Sequence, residues 1–437
     1  MRTIAVKLFI SGFCSIMICL IATPADGQRL TERKIKRVFD NSEIVNDHYT
    51  GFVLYDQRTD KVIYELNSNK PSVPASNTKL FTLYTALRML GDSIPGLRYI
   101  VKGDSLIFWG TGDPSLFHPD LKSAKVFNFL KNSPQKLFYS GANYIPSSRS
   151  GSFSLQTELT SFPIGENTAV IFAGADGNLK ITPSSLALKL RQDTSYHPKT
   201  FTIRRDASGI GFSYPLMQIT AGFKKLFPIR HEPDIIAGIL QDTLKKPVGF
   251  IEMPMPQNAA TVYSLHSDSL YKRMMLPSDN YLAEQILLMC SSVLPGPLSL
   301  DSTIAYSSKN YLNDLPDKFQ WTDGSGLSRY NLFSPRSIIK MLVKIRDKVG
   351  NEQRLLNMFP AGGISGTLKN AYKTDNGVPF VWAKTGTLSN VHLQGGYLVT
   401  RKGKKLIYSF MNNNFLRTTS EIRDEMGRII TDIHNRY

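Results

Sequence analysis

The chain contains one stretch that joins a chemical motif to a predicted helix: SNTKLFTLYTALRMLG, residues 76–91. Ser76 and Lys79 open it three residues apart, so on a helix both side chains lie on one face. Gly91 ends the helical pattern, whose apolar positions are Leu80, Leu83, Tyr84, Leu87 and Leu90. The lysine amine could take the serine proton, and the helix N-terminus favours developing negative charge. The stretch predicts an amphipathic helix that begins with an activated nucleophile.

The Ser-x-x-Lys spacing alone is a weak signal, because it recurs at Ser133/Lys136, Ser269/Lys272 and Ser337/Lys340. Two further motifs distinguish Ser76 from these. Ser278-Asp279-Asn280 opens a predicted helix, where Ser278 alone would be explained as a helix cap. Lys384-Thr385-Gly386-Thr387 lies in a predicted strand. The three motifs in this order are the signature of β-lactamases and penicillin-binding proteins.

Longer stretches narrow the family: Gly110-Thr-Gly-Asp-Pro114, Asp323-Gly-Ser-Gly-Leu-Ser-Arg-Tyr-Asn331, Gly366-Thr-Leu368 and Lys384-Thr-Gly-Thr-Leu-Ser389. Together they closely resemble the class C low-molecular-weight penicillin-binding proteins, the D-Ala-D-Ala carboxypeptidase/endopeptidase family. The resemblance covers most of the chain after residue 27. It is strongest from Ser278 onward and thin between about 120 and 260. It implies an enzyme that acts on peptidoglycan stem peptides and is inhibited covalently by β-lactams.

The resemblance implies an α/β fold in which a serine β-lactamase/transpeptidase-like domain, an antiparallel sheet with helices, is interrupted by a β-rich inserted domain. Alternating runs at 51–55 and 61–65 predict a hairpin, and later runs predict strands at 380–387, 395–400 and 406–411. Thr31 and Ser420 are the expected caps of the first and last helices. We expect the catalytic domain at residues 28–98 and 262–437.

The segment at 99–261 has a different pattern, in which short apolar runs alternate with Pro, Gly and Ser. The runs predict strands at 99–101, 105–109, 136–139, 168–172, 201–203 and 248–251. Ser278 follows Ser76 by 202 positions, which agrees with the resemblance, since this family inserts extra domains there. We therefore expect 99–261 to form the β-rich inserted domain.

The resemblance implies a catalytic role for five residues. Ser76 attacks the scissile carbonyl, and Lys79 takes its proton as a neutral base. Burial and the charge of Lys384 are expected to lower the pKa of Lys79. Ser278 relays a proton to the leaving amine, and Asn280 orients Lys79 and the substrate amide.

The same resemblance implies how the substrate is held. Lys384, Thr385 and Thr387 bind its terminal carboxylate, in the strand that has Gly386 at its centre. The backbone N–H groups of Ser76 and Thr387 are expected to form the oxyanion hole.

Two alternatives stay open at this point. A β-lactamase of class A would deacylate through a Glu a few dozen residues after Ser-Asp-Asn, and none occurs between Glu284 and Glu352. A long-lived penicilloyl adduct is therefore expected instead of fast turnover. The second alternative is a catalytically slow, penicillin-binding wall scaffold, which the intact set of motifs argues against.

Other classes of active site are excluded by their missing motifs. The sequence has no Gly-x-Ser-x-Gly, no Gly-x-x-x-x-Gly-Lys-[Ser/Thr] and no His-Glu-x-x-His. Its seven histidines, at 48, 118, 197, 231, 266, 392 and 434, are scattered without the spacing of metal ligands. Cys290, beside Met289 in an apolar helix, is expected to be a buried small hydrophobe. We predict no metal and no cofactor.

The N-terminus and the charge indicate the compartment. Arg2 and Lys7 precede an uncharged apolar run, and Ala25 and Gly27 occupy the −3 and −1 positions of a cut before Gln28. This predicts a secretory signal peptide at 1–27 and a periplasmic enzyme, rather than a membrane anchor or a lipoprotein on Cys19. The formal charge is +17 over 437 residues. With secretion arguing against nucleic acid, it predicts either loose association with anionic envelope surfaces or a merely solvated basic surface.

Overall fold

The fold is described from a computed structural model that covers residues 32–146, 158–207, 209–230, 232–374 and 376–436. The predicted signal peptide at 1–27 and the predicted cap Thr31 lie outside the described residues. Within this part of the chain, no helix is both long enough and apolar enough to cross a membrane.

The described residues form sixteen strands and eleven α-helices. The strands are β1 (Tyr49–Asp56), β2 (Lys61–Leu66), β3 (Ser93–Lys102), β4 (Ser105–Gly110), β5 (Lys136–Ser140), β6 (Thr168–Ala173), β7 (Leu179–Thr182), β8 (Leu190–Asp193), β9 (Arg204–Arg205), β10 (Phe212–Pro215), β11 (Lys224–Pro228), β12 (Val248–Phe250), β13 (Ala260–His266), β14 (Val381–Leu388), β15 (Val391–Val399) and β16 (Lys405–Asn413). The helices are α1 (Glu32–Asp40), α2 (Glu43–Asn46), α3 (Lys79–Met89), α4 (Lys125–Asn132), α5 (Pro233–Leu244), α6 (Ser267–Met275), α7 (Asn280–Cys290), α8 (Leu300–Asn310), α9 (Pro335–Val349), α10 (Glu352–Asn357) and α11 (Thr419–Arg436).

The sheet that carries the C-terminal motif joins the two ends of the chain. Its strand order is β14-β15-β16-β1-β2, and every neighbouring pair is antiparallel. Alternate residues of each strand face opposite sides, so Val53 packs with α9 and the helix after Ser76 while Phe52 and Leu54 pack with α11. Both faces are therefore buried by helices, which is the antiparallel sheet with helices that the sequence predicts.

The segment between β3 and β13 forms a second sheet with a core of its own. The strand order of this sheet is β12-β5-β4-β3-β13. The same segment contains two separate three-stranded sheets, β8-β10-β9 and β11-β6-β7. The sequence boundaries at 98/99 and 261/262 fall inside β3 and β13, which begin and end at Ser93 and His266. β3 and β13, the first and last strands of this segment in sequence, pair with each other, so the chain enters and leaves the segment at adjacent points.

Three details differ from the sequence-based expectations. The β-rich segment also contains α4 and α5, whose β-branched residues disguise helical spacing, as at Ile235, Ile236 and Ile239 in α5. Residues 201–203 are not a strand, although Ile203 is buried in the segment's core. The last helix begins two residues earlier than expected, and its cap is Thr418 instead of Ser420. The Glu421 N–H donates to Thr418 Oγ1 (3.3 Å) and the Thr418 N–H donates to Glu421 Oε2 (2.9 Å).

Candidate active site

Ser76 lies in a tight turn that leads into α3. Residues Ala75–Thr78 form a single 3₁₀ turn, and Ser76 is partly exposed where its neighbours are buried. Strand β14 runs directly beside this turn. Its Gly386 is so close that an added Cβ would lie 2.9 Å from the Ser76 amide nitrogen. Gly326 approaches from the other side, where a Cβ would lie 1.8 Å from the Ala75 carbonyl oxygen. Two glycines of the sequence motifs thus allow backbone to pack against the nucleophile turn.

Lys79, one turn after Ser76, is completely buried and has three polar contacts. Its Nζ is 3.1 Å from Ser76 Oγ, 2.7 Å from Asn280 Oδ1 and 2.7 Å from the Ser325 carbonyl oxygen. Burial lowers the pKa of Lys79 to about 8, against the opposing charges of Glu284, Asp323 and Asp279. A neutral amine is therefore accessible near physiological pH.

Two buried carboxylates hold the loop that supplies the Ser325 carbonyl. Glu284 accepts hydrogen bonds from the Gly324 N–H (2.9 Å) and the Ser325 N–H (2.8 Å). Asp323 accepts from the N–H groups of Gly326 and Ser328, both at 2.7 Å. Burial raises the pKa of Glu284 to about 7 and also raises the pKa of Asp323. Two buried carboxylates thus hold four backbone N–H groups of the Asp323–Asn331 motif.

Ser278 and Asn280 flank the start of α7. Ser278 adopts a left-handed backbone conformation (φ 65°), and Asp279, not Ser278, caps the helix by accepting from the Leu282 N–H at 2.9 Å. Arg273 holds Asp279 (3.1 Å) and reaches Asp120 of the inserted segment (2.8 Å). Asn280, the first residue of α7, is thereby aimed at Lys79.

Lys384 is the second completely buried lysine of the site. Its Nζ donates to Ser278 Oγ (2.8 Å) and to the Thr385 carbonyl oxygen (2.7 Å). Burial lowers its pKa well below the ordinary value, and the positive charge of Lys79 lowers it further. The repulsion between the two lysines is mutual, so it disfavours the state in which both carry a charge. Among the residues that the structure describes, no carboxylate compensates Lys384 as three carboxylates compensate Lys79.

Two threonines of this strand, Thr385 and Thr387, lie at the rim of the site. The Thr385 hydroxyl donates to the Thr367 hydroxyl (2.7 Å), which brings the Gly366–Leu368 motif beside the strand. Thr387 is exposed, and its hydroxyl lies 2.8 Å from His392 Nδ1.

The structure thus brings the residues of the three sequence motifs together around the turn that carries Ser76. Sequence reasoning missed the role of Glu284, although a glutamate inside a mainly apolar helix, one turn after Asn280, is a usable signal. It also missed Asn77, whose side-chain amide joins the Lys384 carbonyl (2.7 Å) to the Gly395 N–H (3.2 Å). Cys290 is buried as predicted. In the described residues, no cluster of His, Cys, Asp and Glu suits a metal ion.

Comparison with known proteins identifies the family. The family model described as D-Ala-D-Ala carboxypeptidase 3 (S13) matches residues 32–134 and 227–433, well over half of the chain. The chain belongs to this S13 family. The unmatched residues between the two parts lie inside the inserted segment, where the resemblance in sequence is thin. The S13 match confirms that the chain is a serine D-Ala-D-Ala peptidase. It also confirms the resemblance to class C low-molecular-weight penicillin-binding proteins that the motifs indicate.

Relatives of this S13 peptidase agree with the match. It is 25% identical to the D-alanyl-D-alanine carboxypeptidase of Actinomadura sp. (strain R39), over 91% of this chain and 84% of that protein. It is 26% identical to the D-alanyl-D-alanine carboxypeptidase DacB of Haemophilus influenzae, over only 38% of this chain and 36% of that protein. The crystal structure of penicillin-binding protein 4 from Haemophilus influenzae superposes with a TM-score of 0.66 and 20% identity, covering 92% of this chain and 98% of that one. The superposition confirms the transpeptidase-like fold.

Proposed function

We propose that this S13 peptidase is a secreted enzyme that forms an acyl-enzyme on Ser76. Its substrates are D-Ala-D-Ala stem peptides of peptidoglycan, D-amino-acid cross-links, or both. The observation that carries the proposal is the set of three contacts made by Lys79 Nζ. A neutral amine has two hydrogens and one lone pair, while Asn280 Oδ1 and the Ser325 carbonyl can only accept hydrogen bonds. Both hydrogens are thus engaged, and the lone pair is left for the Ser76 hydroxyl proton.

The first step is acylation. Ser76 Oγ attacks the scissile carbonyl carbon as its proton passes to Lys79, and the carbonyl oxygen becomes an oxyanion. Backbone N–H groups of Ser76 and Thr387 stabilise this oxyanion. The close approach of Gly386 to the Ser76 nitrogen supports an oxyanion hole formed by these two N–H groups, because it brings the two backbone segments side by side.

The leaving amine needs a proton, and Ser278 is suited to deliver it. Lys384 Nζ donates to Ser278 Oγ, which leaves the Ser278 hydroxyl hydrogen available for the substrate. When Ser278 gives its proton to the amine nitrogen, the C–N bond breaks. The proton that Lys79 took from Ser76 then replaces the one lost by Ser278, so that Lys79 is neutral again before water attacks. Water then hydrolyses the acyl-enzyme and restores Ser76.

The substrate's terminal carboxylate is held by Lys384, Thr385 and Thr387. Burial and the neighbouring Lys79 disfavour the charged form of Lys384 in the free enzyme, and this lowers the Lys384 pKa. A bound carboxylate reverses this balance, because an opposite charge within a few ångströms favours the ammonium form. The charge on Lys384 then helps to keep Lys79 neutral for its role as base.

Deacylation of a penicilloyl adduct is expected to be slow. The carboxylate that follows Ser-Asp-Asn most closely in sequence, Glu284, has one oxygen bound to the Gly324 N–H and the other to the Ser325 N–H. It is completely buried and holds a loop, so it is poorly suited to activate a water molecule. β-Lactams therefore act as covalent inhibitors. Intact-mass analysis should show a persistent adduct, and an unmodified protein with rapidly hydrolysed drug would favour the β-lactamase alternative.

Secretion rests on the predicted signal peptide, and the periplasm is the compartment that holds the substrate. The exported protein should begin at Gln28, which N-terminal mass mapping would test; an intact Met1 or a lipidated Cys19 would contradict it. The basic surface supports loose association with anionic envelope polymers.

The direct test of the proposed function uses purified muropeptides. The exported protein is incubated with monomeric pentapeptides and with cross-linked dimers, and the products are identified by mass. Loss of one terminal alanine shows carboxypeptidase action, and conversion of dimers to monomers shows endopeptidase action. Ser76→Ala is the matched control and should give neither product. Unchanged muropeptides with the wild-type protein, or equal products with Ser76→Ala, would contradict the proposal.

A further inference from the structure

His392 is a buried histidine that the catalytic steps do not use, although it touches one of the residues that bind the substrate. It lies in β15 directly opposite Thr387 of β14, with its Nδ1 2.8 Å from the Thr387 hydroxyl oxygen. His392 is only 2% exposed, whereas Thr387 faces solvent at the rim of the site. The hydroxyl thus has a buried partner on one side and open space on the other.

The charge of His392 follows from its surroundings. Burial lowers its pKa to about 4, and Arg423 of α11 acts in the same direction. The imidazole is therefore neutral at physiological pH and carries one hydrogen, on either Nδ1 or Nε2. Nδ1 faces Thr387, while Nε2 has no hydrogen-bond partner among the residues that the structure describes.

The neighbouring strand favours one of the two positions for this hydrogen. Asn412 of β16 lies directly opposite His392, and its Nδ2 is also buried without a partner within the described ranges. Its Oδ1 is already engaged by His48 Nε2 (2.8 Å) and the Thr50 hydroxyl (3.0 Å). A hydrogen on His392 Nε2 would leave buried donors on both sides, and an unpaired donor is costly. A hydrogen on Nδ1 avoids this and donates to Thr387 Oγ1.

We propose that His392 is a positioning residue that fixes the Thr387 hydroxyl as a hydrogen-bond donor towards the anionic end of the substrate. Because Thr387 Oγ1 accepts the Nδ1–H, its own hydrogen points away from β15 to the open side. Had Nδ1 been the acceptor, the hydroxyl hydrogen would be spent on the histidine and only lone pairs would face the carboxylate. The inference rests on the proposed function, since that assigns the carboxylate to Thr387.

Two substitutions separate the nitrogens of His392. In His392→Asn the side-chain amide can reach the position of Nδ1 and still donate to Thr387, whereas in His392→Gln it reaches the position of Nε2. Acylation is measured with a thioester that bears a free terminal carboxylate and with one that lacks it. We expect His392→Gln to lower kcat/KM about tenfold for the carboxylate-bearing donor, mainly through KM, with less than a twofold change for the other donor. His392→Asn should stay within about threefold of wild type on both.

A double mutant tests whether the effect passes through Thr387. In a Thr387→Val background, where no hydroxyl remains, His392→Gln should cause no further loss. Equal losses on the two thioesters, a full loss retained in the Thr387→Val background, or an Asn variant as poor as the Gln variant would overturn the inference. A wild-type protein that is acylated by neither thioester nor penicillin would contradict the proposed function instead.

The tautomer can also be measured in the unmodified protein, independently of how the variants fold. With ¹⁵N-labelled histidine, two-bond ¹H–¹⁵N spectra distinguish protonated from unprotonated ring nitrogens. His392 should show a protonated Nδ1 and a bare Nε2 at neutral pH. A protonated Nε2 would overturn the inference.

Discussion

The two buried lysines of the active site lie in surroundings of opposite electrostatic character. The charges that act on Lys79 come from the carboxylates of Glu284, Asp323 and Asp279. Lys384 has a hydroxyl and a carbonyl as partners, and the charge that acts on it is the positive Lys79. Both lysines are completely buried, so burial cannot explain the difference.

This difference assigns the two lysines different tasks. The protein itself provides the negative charge that offsets part of the burial cost of Lys79, so its titration lies near neutral pH and it can exchange a proton repeatedly. Lys384 lacks such compensation within the described residues, and the substrate carboxylate that we propose it binds would supply it. On this proposal, the surroundings of Lys384 are balanced only in the complex, whereas those of Lys79 are balanced in the free protein.

The largest expected effect comes from Lys79→Ala. Ser76 loses its proton acceptor, so acylation by every donor, penicillin included, should fall by at least about a thousandfold. Lys79→Arg should rescue nothing, because a guanidinium stays protonated. Stopped-flow acylation rates and intact mass would measure this. A Lys79→Ala protein that still forms the adduct at a comparable rate would show that another group accepts the proton.

Lys384→Ala should have the next largest effect, and it should depend on the donor. The loss should be about a hundredfold for a carboxylate-bearing thioester and much smaller for a carboxylate-free one, since the second has no charge to place there. Lys384→Arg should restore part of the binding, although its planar fork differs from a point charge. Equal losses on both thioesters would overturn the assignment of Lys384 as carboxylate anchor. The two lysines would then no longer differ in their dependence on the substrate carboxylate.

The pH dependence of wild-type acylation should reflect Lys79. Its pKa is lowered to about 8, so the neutral form grows from about a tenth at pH 7 to about nine tenths at pH 9. With a carboxylate-free thioester, the acylation rate should therefore rise about tenfold over this range and level off above it. A rate that does not change between pH 7 and 9 would contradict the role of Lys79 as a base with this pKa.

Glu284→Gln should shift that profile by a smaller amount. Removing the negative charge lowers the pKa of Lys79 further, so the midpoint should move to lower pH and acylation at pH 7 should rise slightly. The variant should also melt at a lower temperature, because a Gln amide would face the Gly324 or Ser325 N–H with a donor of its own. Glu352→Gln is a matched control, since this exposed carboxylate pairs with Lys405 on the surface. An unchanged midpoint would mean that Glu284 does not act on Lys79.

The sequence predicts the catalytic sheet well, because alternation and helical spacing are strong in the terminal parts of the chain. It predicts only the second half of β15, which begins at Val391 instead of residue 395. Gly395 and Gly396 interrupt the apolar pattern in the middle of β15, so residues 391–394 are not recognised as part of the same strand. Close packing requires both glycines, since a Cβ on Gly396 would lie 2.2 Å from the Trp382 carbonyl oxygen. Tertiary contacts of this kind leave no periodic signal.

The candidate site could be predicted as far as its motifs extend. Ser76, Lys79 and Lys384 carry their chemistry in their own residue types, and their order along the chain suffices to propose a site. Glu284 and Asn77 act through contacts with residues distant in sequence, and His392 contacts Thr387 across the turn between β14 and β15. Nothing in a single sequence shows that a glutamate in α7 bonds to backbone amides of residues 324 and 325, because that contact depends on how α7 packs against a later loop.

The strand order of the catalytic sheet has a consequence for how the enzyme is made. β1 ends at Asp56, but its neighbour β16 begins only at Lys405, and the backbone beside Ser76 comes from Gly386. A chain emerging from its N-terminus carries the nucleophile long before it carries these partners, and such distant pairings form late in folding. A growing chain therefore cannot complete this site until β14, β15 and β16 have been synthesised.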